Sequence, residues 1–340
     1  MKKLLYIGNQ LAQSNKTVTT IDTLSRLLTN SGYHVITASS KANKIWRLLD
    51  MLSRIVKHRK GLDYVLIDTY STDNFYYAVC CGSLSKWLGI KYVPILHGGN
   101  LPNRLKHTPR LSKLLFNCAY INVAPSQYTQ SNFEAFGYSN TICIPNTIEL
   151  SNYPFELRTT KVIKLLWVRS FSEIYNPKLA VDILKILKDK KISAELCMVG
   201  PEVDGSLKST KDYAESLGVQ VTFTGKLSKQ EWIDLSKNYN IFINTTNVDN
   251  MPVSVIEAMA LGLFVVSTDV GGMPFLIENH KTGILVKPND AQAFANTIMK
   301  FSENTSQIEN MTLKAREAAE QYAWKNVEKQ WLKVFNESQV

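Results

Sequence analysis

Short apolar runs alternate with helical patterns along this chain, and they do so in two separate series. In the first, residues 4–7, 34–37, 64–68, 91–95, 120–123 and 141–144 read as buried strands with helical periodicity between them. The pattern stops at IPNTIE, residues 144–149, and the aperiodic stretch LSNYPFELRTTK leads to a fresh strand at 163–168. A second series follows at 195–199, 220–223, 241–244 and 264–267, before helices from residue 291 onward. Strands that alternate with helices form parallel sheets, because a parallel neighbour can be reached only through a crossover. At 340 residues the chain also exceeds what one hydrophobic core serves. The expected architecture is α/β, with two doubly wound domains at 1–149 and 150–323 facing a cleft and a last helix at 324–340. In such sheets ligands bind outside the carboxyl ends of the strands.

The opening MKKLLYIGNQ imitates a signal peptide, but its apolar run stops after Ile7 and Asn9-Gln10 follow, so it reads as a first buried strand ending in a glycine turn. No stretch approaches the roughly 18 uninterrupted apolar residues of a spanning helix. The five cysteines are odd in number and lack the two-to-four-residue pairing of metal sites, which points to a reduced, cytoplasmic compartment. The net charge of +10 is uneven: residues 1–150 hold 17 Lys and Arg against 7 Asp and Glu, whereas residues 151–340 hold 22 of each. A basic half joined to a neutral half suits a domain that faces an acidic surface or substrate, not a nucleic-acid binder.

Residues 249–262, DNMPVSVIEAMALG, set Asp249 and Glu257 around a Met-Pro turn with seven residues between them. Pro252 donates no backbone hydrogen bond and suits the first turn of a helix. Free N–H groups along the turn Asn250, Met251, Pro252, Val253 and Ser254 would point at a phosphate or a sugar hydroxyl, and Glu257 could accept a pair of vicinal hydroxyls. Such a spacing taken alone favours the plain reading, in which Asp249 caps the helix and Glu257 is a surface charge.

With DVGGMP and ENHKTGILVKPND further on, the motif resembles the retaining nucleotide-sugar glycosyltransferases of glycosyltransferase family 4. Their signature is an acid, seven residues, then Glu in a Pro-x-x-x-x-Glu-Ala helix, followed by GG-x-P and TG-x-L-V. The resemblance extends through SQYTQSNFEAFGY, MVGPEVD and FTGKLSKQEW over almost the whole chain, more weakly in the first half. It implies the GT-B fold, two Rossmann-like domains with the last helix crossing back to the first. It also implies a UDP- or GDP-linked sugar as donor, a saccharide or lipid-linked acceptor, a front-face mechanism, and no metal or other cofactor.

On this resemblance Glu257 would hold the donor ribose and Asp249 the transferred sugar. Most members have Glu at the first position, so Asp249 shortens the reach by one methylene. Arg169 would neutralise the diphosphate. The Lys that usually follows is missing, since positions 174 and 175 are Ile and Tyr, and its part would fall to Lys226 or to hydrogen bonds from Tyr175 or Asn176. Gly200 of MVGPEVD joins the donor side. His97, in VPILHGGNLP, would touch the donor sugar near the reacting carbon, with Gly98 and Gly99 allowing close backbone approach. Gly8, Asn9 and Lys16 would lie by the reaction centre in a loop that lacks the G-x-G-x-x-G of a dinucleotide site. The segment from Gly98 to Arg110 is the candidate mobile acceptor loop.

In residues 41–60, Ile45, Leu48, Leu49, Leu52, Ile55 and Val56 read as one apolar stripe, with Lys44, Arg47, Arg54, Lys57, Arg59 and Lys60 around it. This fits first a domain helix with a solvated basic face, and it also suits an anionic membrane surface at the inner face of the membrane, two readings that are compatible. Two rivals to sugar transfer in surface polysaccharide or glycolipid synthesis remain: a sugar-nucleotide epimerase of the same fold, and a non-catalytic donor-binding scaffold. The missing Lys and Phe275, where Glu normally follows GG-x-P, favour the scaffold. Intact Asp249 and Glu257 favour transfer.

Overall fold

In the computed structural model, which describes residues 1–10, 19–97, 99–159 and 162–336, the chain divides into Met1–Pro145 with Lys325–Val340, and Asn146–Trp324. The division precedes the 149/150 boundary of the sequence pattern because residues 146–149, the NTIE of IPNTIE, are tied into the second unit. There the Thr147 hydroxyl and the Ile148 N–H donate to the Tyr322 carbonyl at 2.9 and 3.0 Å.

The first unit comprises β1 (Lys3–Ile7), α1 (Thr20–Asn30), β2 (His34–Ala38), α2 (Lys44–His58), β3 (Tyr64–Thr69), α3 (Asn74–Trp87), β4 (Lys91–Leu96), α4 (Leu101–His107), α5 (Pro109–Phe116), β5 (Asn122–Ala124), α6 (Gln127–Ala135) and β6 (Thr141–Cys143). Its strands run parallel in the order β2-β1-β3-β4-β5-β6. All six residues of β3 are buried, as a strand covered on both faces requires. The strand order reverses direction at β1/β3, which opens a crevice at the carboxyl ends there.

The second unit continues with β7 (Ile163–Val168), α7 (Pro177–Asp189), β8 (Ala194–Val199), α8 (Ser206–Ser216), β9 (Thr222–Gly225), α9 (Lys229–Ser236), β10 (Ile241–Asn244), α10 (Val253–Ala260), β11 (Phe264–Thr268), α11 (Met273–Leu276), β12 (Ile284–Val286), α12 (Ala291–Ser302) and α13 (Thr305–Glu320). The parallel order is β12-β11-β10-β7-β8-β9, reversing between β7 and β10. Leu165 and Trp167 of β7 pack in one core with α7 and α12, while Leu166 packs in the other with α10 and α13. The chain therefore leaves β7 and β10 toward opposite faces of the sheet.

Helix α14 (Trp324–Asn336) belongs, from Lys325 on, to the first unit. There Phe335 is fully buried, with its ring 5.1 Å from Tyr33 and 5.3 Å from Tyr64, whose hydroxyl donates to the Phe335 carbonyl at 3.3 Å. No helix among the described residues is long and apolar enough to cross a membrane.

The structure corrects several of these expectations. Strands expected at 120–123 and 220–223 start two residues later, at β5 and β9, and β12 was not foreseen. The expected acceptor loop is largely helical, as α4 and α5, with Arg104 donating to the Ser71 carbonyl and stacking on Phe75 and Tyr76. Helix α2 turns part of its apolar stripe outward: Arg47, Met51 and Ile55 are buried, whereas Ile45, Leu49 and Val56 are exposed. Pro252 stands at the cap position, so that α10 starts one residue later, at Val253.

Truncating Phe335 to Ala removes a ring that three aromatic neighbours enclose. The expected cost is about 3–5 kcal/mol of stability, read as a lower urea midpoint; an unchanged midpoint would show that α14 contributes nothing to the first unit.

Candidate active site

Each unit carries a polar cluster at its own crevice. In the second unit, β7 delivers Arg169, whose N–H donates to the Val199 carbonyl at 3.0 Å. The guanidinium lies 4.1 Å from the centroid of the Tyr175 ring and donates through one terminal nitrogen to the Asp249 carboxylate. Its Nε is buried with no hydrogen-bond partner among the described residues. Tyr175 is thus a platform that orients the cation. Asn176 caps α7 at φ 46° and donates its amide to Asn289 Oδ1 at 2.8 Å.

Three glycines fit the backbone around this pair. A Cβ at Gly200 would collide with the Arg169 carbonyl, one at Gly271 with that of Asp249, and one at Gly272 with that of Asn250. The Gly272 N–H also donates to the Asp249 carbonyl at 3.0 Å. Gly200 therefore acts through close packing, and the GG of DVGGMP is the floor beneath the acidic loop. Asp249 Oδ1 in turn accepts from the Asn250 N–H at 2.9 Å, and the Met251 carbonyl accepts from Asn146 Nδ2 at 3.0 Å.

Helix α10 then places Glu257 inward, 2% exposed. Its Oε1 accepts from the Tyr153 hydroxyl at 2.6 Å and from Lys229 Nζ. A buried carboxylate needs such partners, since an unpaired one costs several kcal/mol, roughly. Burial, and then the charge of Glu257, raises the Tyr153 hydroxyl well above the usual phenol range. Ser254 Oγ, one residue into the helix from Val253, is buried without a partner among the described residues. At the other end of α10, Arg158 donates to the Leu261 carbonyl at 3.1 Å, and Arg316 donates to the Ala260 and Tyr153 carbonyls at 2.7 and 2.8 Å. Cations there suit the negative end of the helix.

Lys229 was not among the residues the sequence singled out; Lys226, which was, is exposed in the turn after β9. Lys229 is the first residue of α9, behind a Ser228–Glu231 capping box. A lysine at a helix N-terminus opposes the helix dipole, a local mismatch that hints at a partner elsewhere.

In the first unit, Asp68 at the end of β3 gathers the cluster. Its Oδ1 lies 2.8 Å from His97 Nε2 and accepts from the Tyr6 hydroxyl at 2.8 Å. The Tyr70 ring stands 5.4 Å from the imidazole. Burial, and secondarily Asp68, raises the hydroxyls of Tyr6 and Tyr70. Gly8 is required because a Cβ there would strike the Asp68 carboxylate. Asn9 is engaged by Arg47, which donates to its Oδ1 at 3.2 Å and to the Lys41 and Ala42 carbonyls at 2.7 and 2.9 Å. Gly99 lies in the turn before α4, while Gly98 and Lys16 are outside the described residues. Among the described residues no three His, Cys, Asp or Glu side chains gather as a metal site would need.

Residues 152–322 match the family model described as glycosyl transferases group 1. The chain is 26% identical over 224 residues to TuaC of Bacillus subtilis, by name a teichuronic acid biosynthesis glycosyltransferase, covering 62% of this chain and 55% of TuaC. It is 27% identical over 182 residues to the amylovoran biosynthesis glycosyltransferase AmsK of Erwinia amylovora, covering 51% of this chain and 44% of AmsK. The chain thus spans about half the length of these curated relatives. Anabaena HepE, solved in complex with UDP-glucose, matches with a TM-score of 0.79 at 17% identity over 97% of this chain and 98% of HepE. At that identity the likeness establishes the fold, GT-B, alone.

Gly272→Ala is expected to destabilise the protein by roughly 1–3 kcal/mol, because the methyl must displace the Asn250 carbonyl and with it Asp249. Equilibrium denaturation reads the loss, and wild-type stability would mean that the acidic loop is free to move off the glycines.

Proposed function

The chain belongs to the group 1 glycosyl transferases, and we propose that it moves a sugar from a UDP- or GDP-linked donor to an acceptor hydroxyl with retention at the anomeric carbon. The observation that carries this reading is the second-unit cluster at the β7/β10 switch point. There a guanidinium follows β7, and a buried carboxylate lies just beyond the first turn of α10. Glu257 accepts the ribose hydroxyls, and Ser254 with the first N–H groups of α10 meets the diphosphate. Arg169 stabilises the charge that grows on the leaving oxygen, and Asp249 contacts the sugar. The bond between the anomeric carbon and the β-phosphate oxygen breaks, its electron pair staying on that oxygen. The acceptor oxygen bonds to the same face of the carbon and passes its proton to the departing phosphate. In the first unit His97, oriented by Asp68, is assigned to the transferred sugar.

The reaction needs no resident metal in this reading, since Arg169 supplies the positive charge. The acceptor is a saccharide or a lipid-linked saccharide, in surface polysaccharide or glycolipid synthesis on the cytoplasmic side.

A panel of UDP- and GDP-sugars, followed by NMR of the products, tests the proposal. Hydrolysis or transfer that keeps the anomeric configuration is expected. Inverted product, an epimerised nucleotide sugar, or donor binding with no turnover would each overturn it.

Glu257→Gln should weaken nucleotide binding by about 1.5–3 kcal/mol, the worth of hydrogen bonds to a charged group. Calorimetric affinity equal to wild type would remove Glu257 from the site. Arg169→Ala should act on turnover more than on donor affinity, with a fall in kcat of about a hundredfold. A variant that transfers sugar at the wild-type rate would hand that task to another cation, Lys229 first.

A further inference from the structure

The outward face of α2 is apolar where a solvated helix would be charged. Ile45, Trp46, Leu49 and Val56 are 71, 65, 48 and 44% exposed. Ile45, Leu49 and Val56 fall on one helical stripe, away from the inward row of Arg47, Met51 and Ile55. Arg47 settles which side is inward, because its three hydrogen bonds bind it to Lys41, Ala42 and Asn9. The acids nearby are already paired, Asp50 with Arg54 at 3.5 Å and Asp73 with Lys44 at 2.6 Å. Lys41, Lys57, Arg59 and Lys60 are exposed around the stripe, and Tyr76 of α3, which packs beside α2, is 47% exposed.

We propose that this face of the first unit docks on an anionic lipid bilayer, with Ile45, Trp46, Leu49 and Val56 entering the boundary between headgroups and acyl chains and the lysines and arginines meeting lipid phosphates. Charge complementarity selects the occupant, since residues 1–150 hold 17 cationic against 7 anionic side chains. A protein partner would need a shaped patch of about 800 Å² on each side. A bilayer needs only an apolar row with cations at its level, and tryptophan favours that depth. None of these side chains belongs to the Arg169–Glu257 cluster, so docking and donor chemistry are separately testable.

The test is sedimentation of the full chain with phosphatidylcholine vesicles, with and without phosphatidylglycerol. Wild type is expected to bind the anionic vesicles alone and to lose binding steeply as salt rises. Trp46→Gln with Leu49→Gln should reduce binding by about tenfold or more, and Lys57→Gln with Lys60→Gln by about fivefold per charge. Circular dichroism and nucleotide-sugar hydrolysis should stay at wild-type values in both double variants. Absence of wild-type binding, or equal binding by Trp46→Gln with Leu49→Gln, would overturn the proposal. So would a wild-type dimer that the same variant dissociates, which would give the face to a second copy of this chain.

Discussion

Everything the second unit does rests on one topological constraint. Strands β7 and β10 are neighbours, but the chain leaves them toward opposite faces of the sheet, to α7 and α10. The loops after them must diverge, and the gap they leave lets backbone from both sides frame a ligand without crossing. Arg169 enters the gap directly from its strand, and Asp249 enters on the loop from β10. The first unit repeats the device at β1 and β3, where Gly8 and Asp68 are neighbours for the same reason.

Charge enters these crevices only in company. Glu257 shares one oxygen between a phenol and an ammonium, Asp249 meets a guanidinium stacked on Tyr175, and Asp68 meets His97 and Tyr6. Burying a carboxylate without such partners is prohibitive, and fixed partners also hold each group in one orientation. The Tyr175 ring holds the arginine, and a second cation, Lys229, reaches Glu257 from α9.

The alternation of apolar runs made both sheets legible, and the spacing of Asp249 and Glu257 singled out two carboxylates that the second unit places on the loop after β10 and inside α10. What stayed hidden did so for physical reasons. Asp68 lies inside the run YVLIDT, where a carboxylate at a strand end looks like a boundary residue until the neighbouring strands supply Tyr6 and His97. Lys229 sits in the polar stretch KLSKQEW, and only the fold brings it to Glu257. In α2 both sides of the helix carry apolar residues, so periodicity cannot say which is inward. Arg47 decides that through hydrogen bonds to backbone carbonyls and Asn9, partners that a helical wheel does not display.

Helix α10 is fastened at its far end by Arg158 and Arg316, which take the carbonyls of Leu261 and Ala260, and one of these arginines also holds the chain at Tyr153, the partner of Glu257. The carboxylate and the phenol beneath it are therefore parts of one frame. If the donor proposed above binds here, it meets a frame that orders little on association, so the heat-capacity change should reflect only the apolar surface that the ligand itself buries, with none of the large negative increment of folding coupled to binding. On the function proposed above, adapting the protein to a different nucleotide would mean rebuilding the frame, not loosening it.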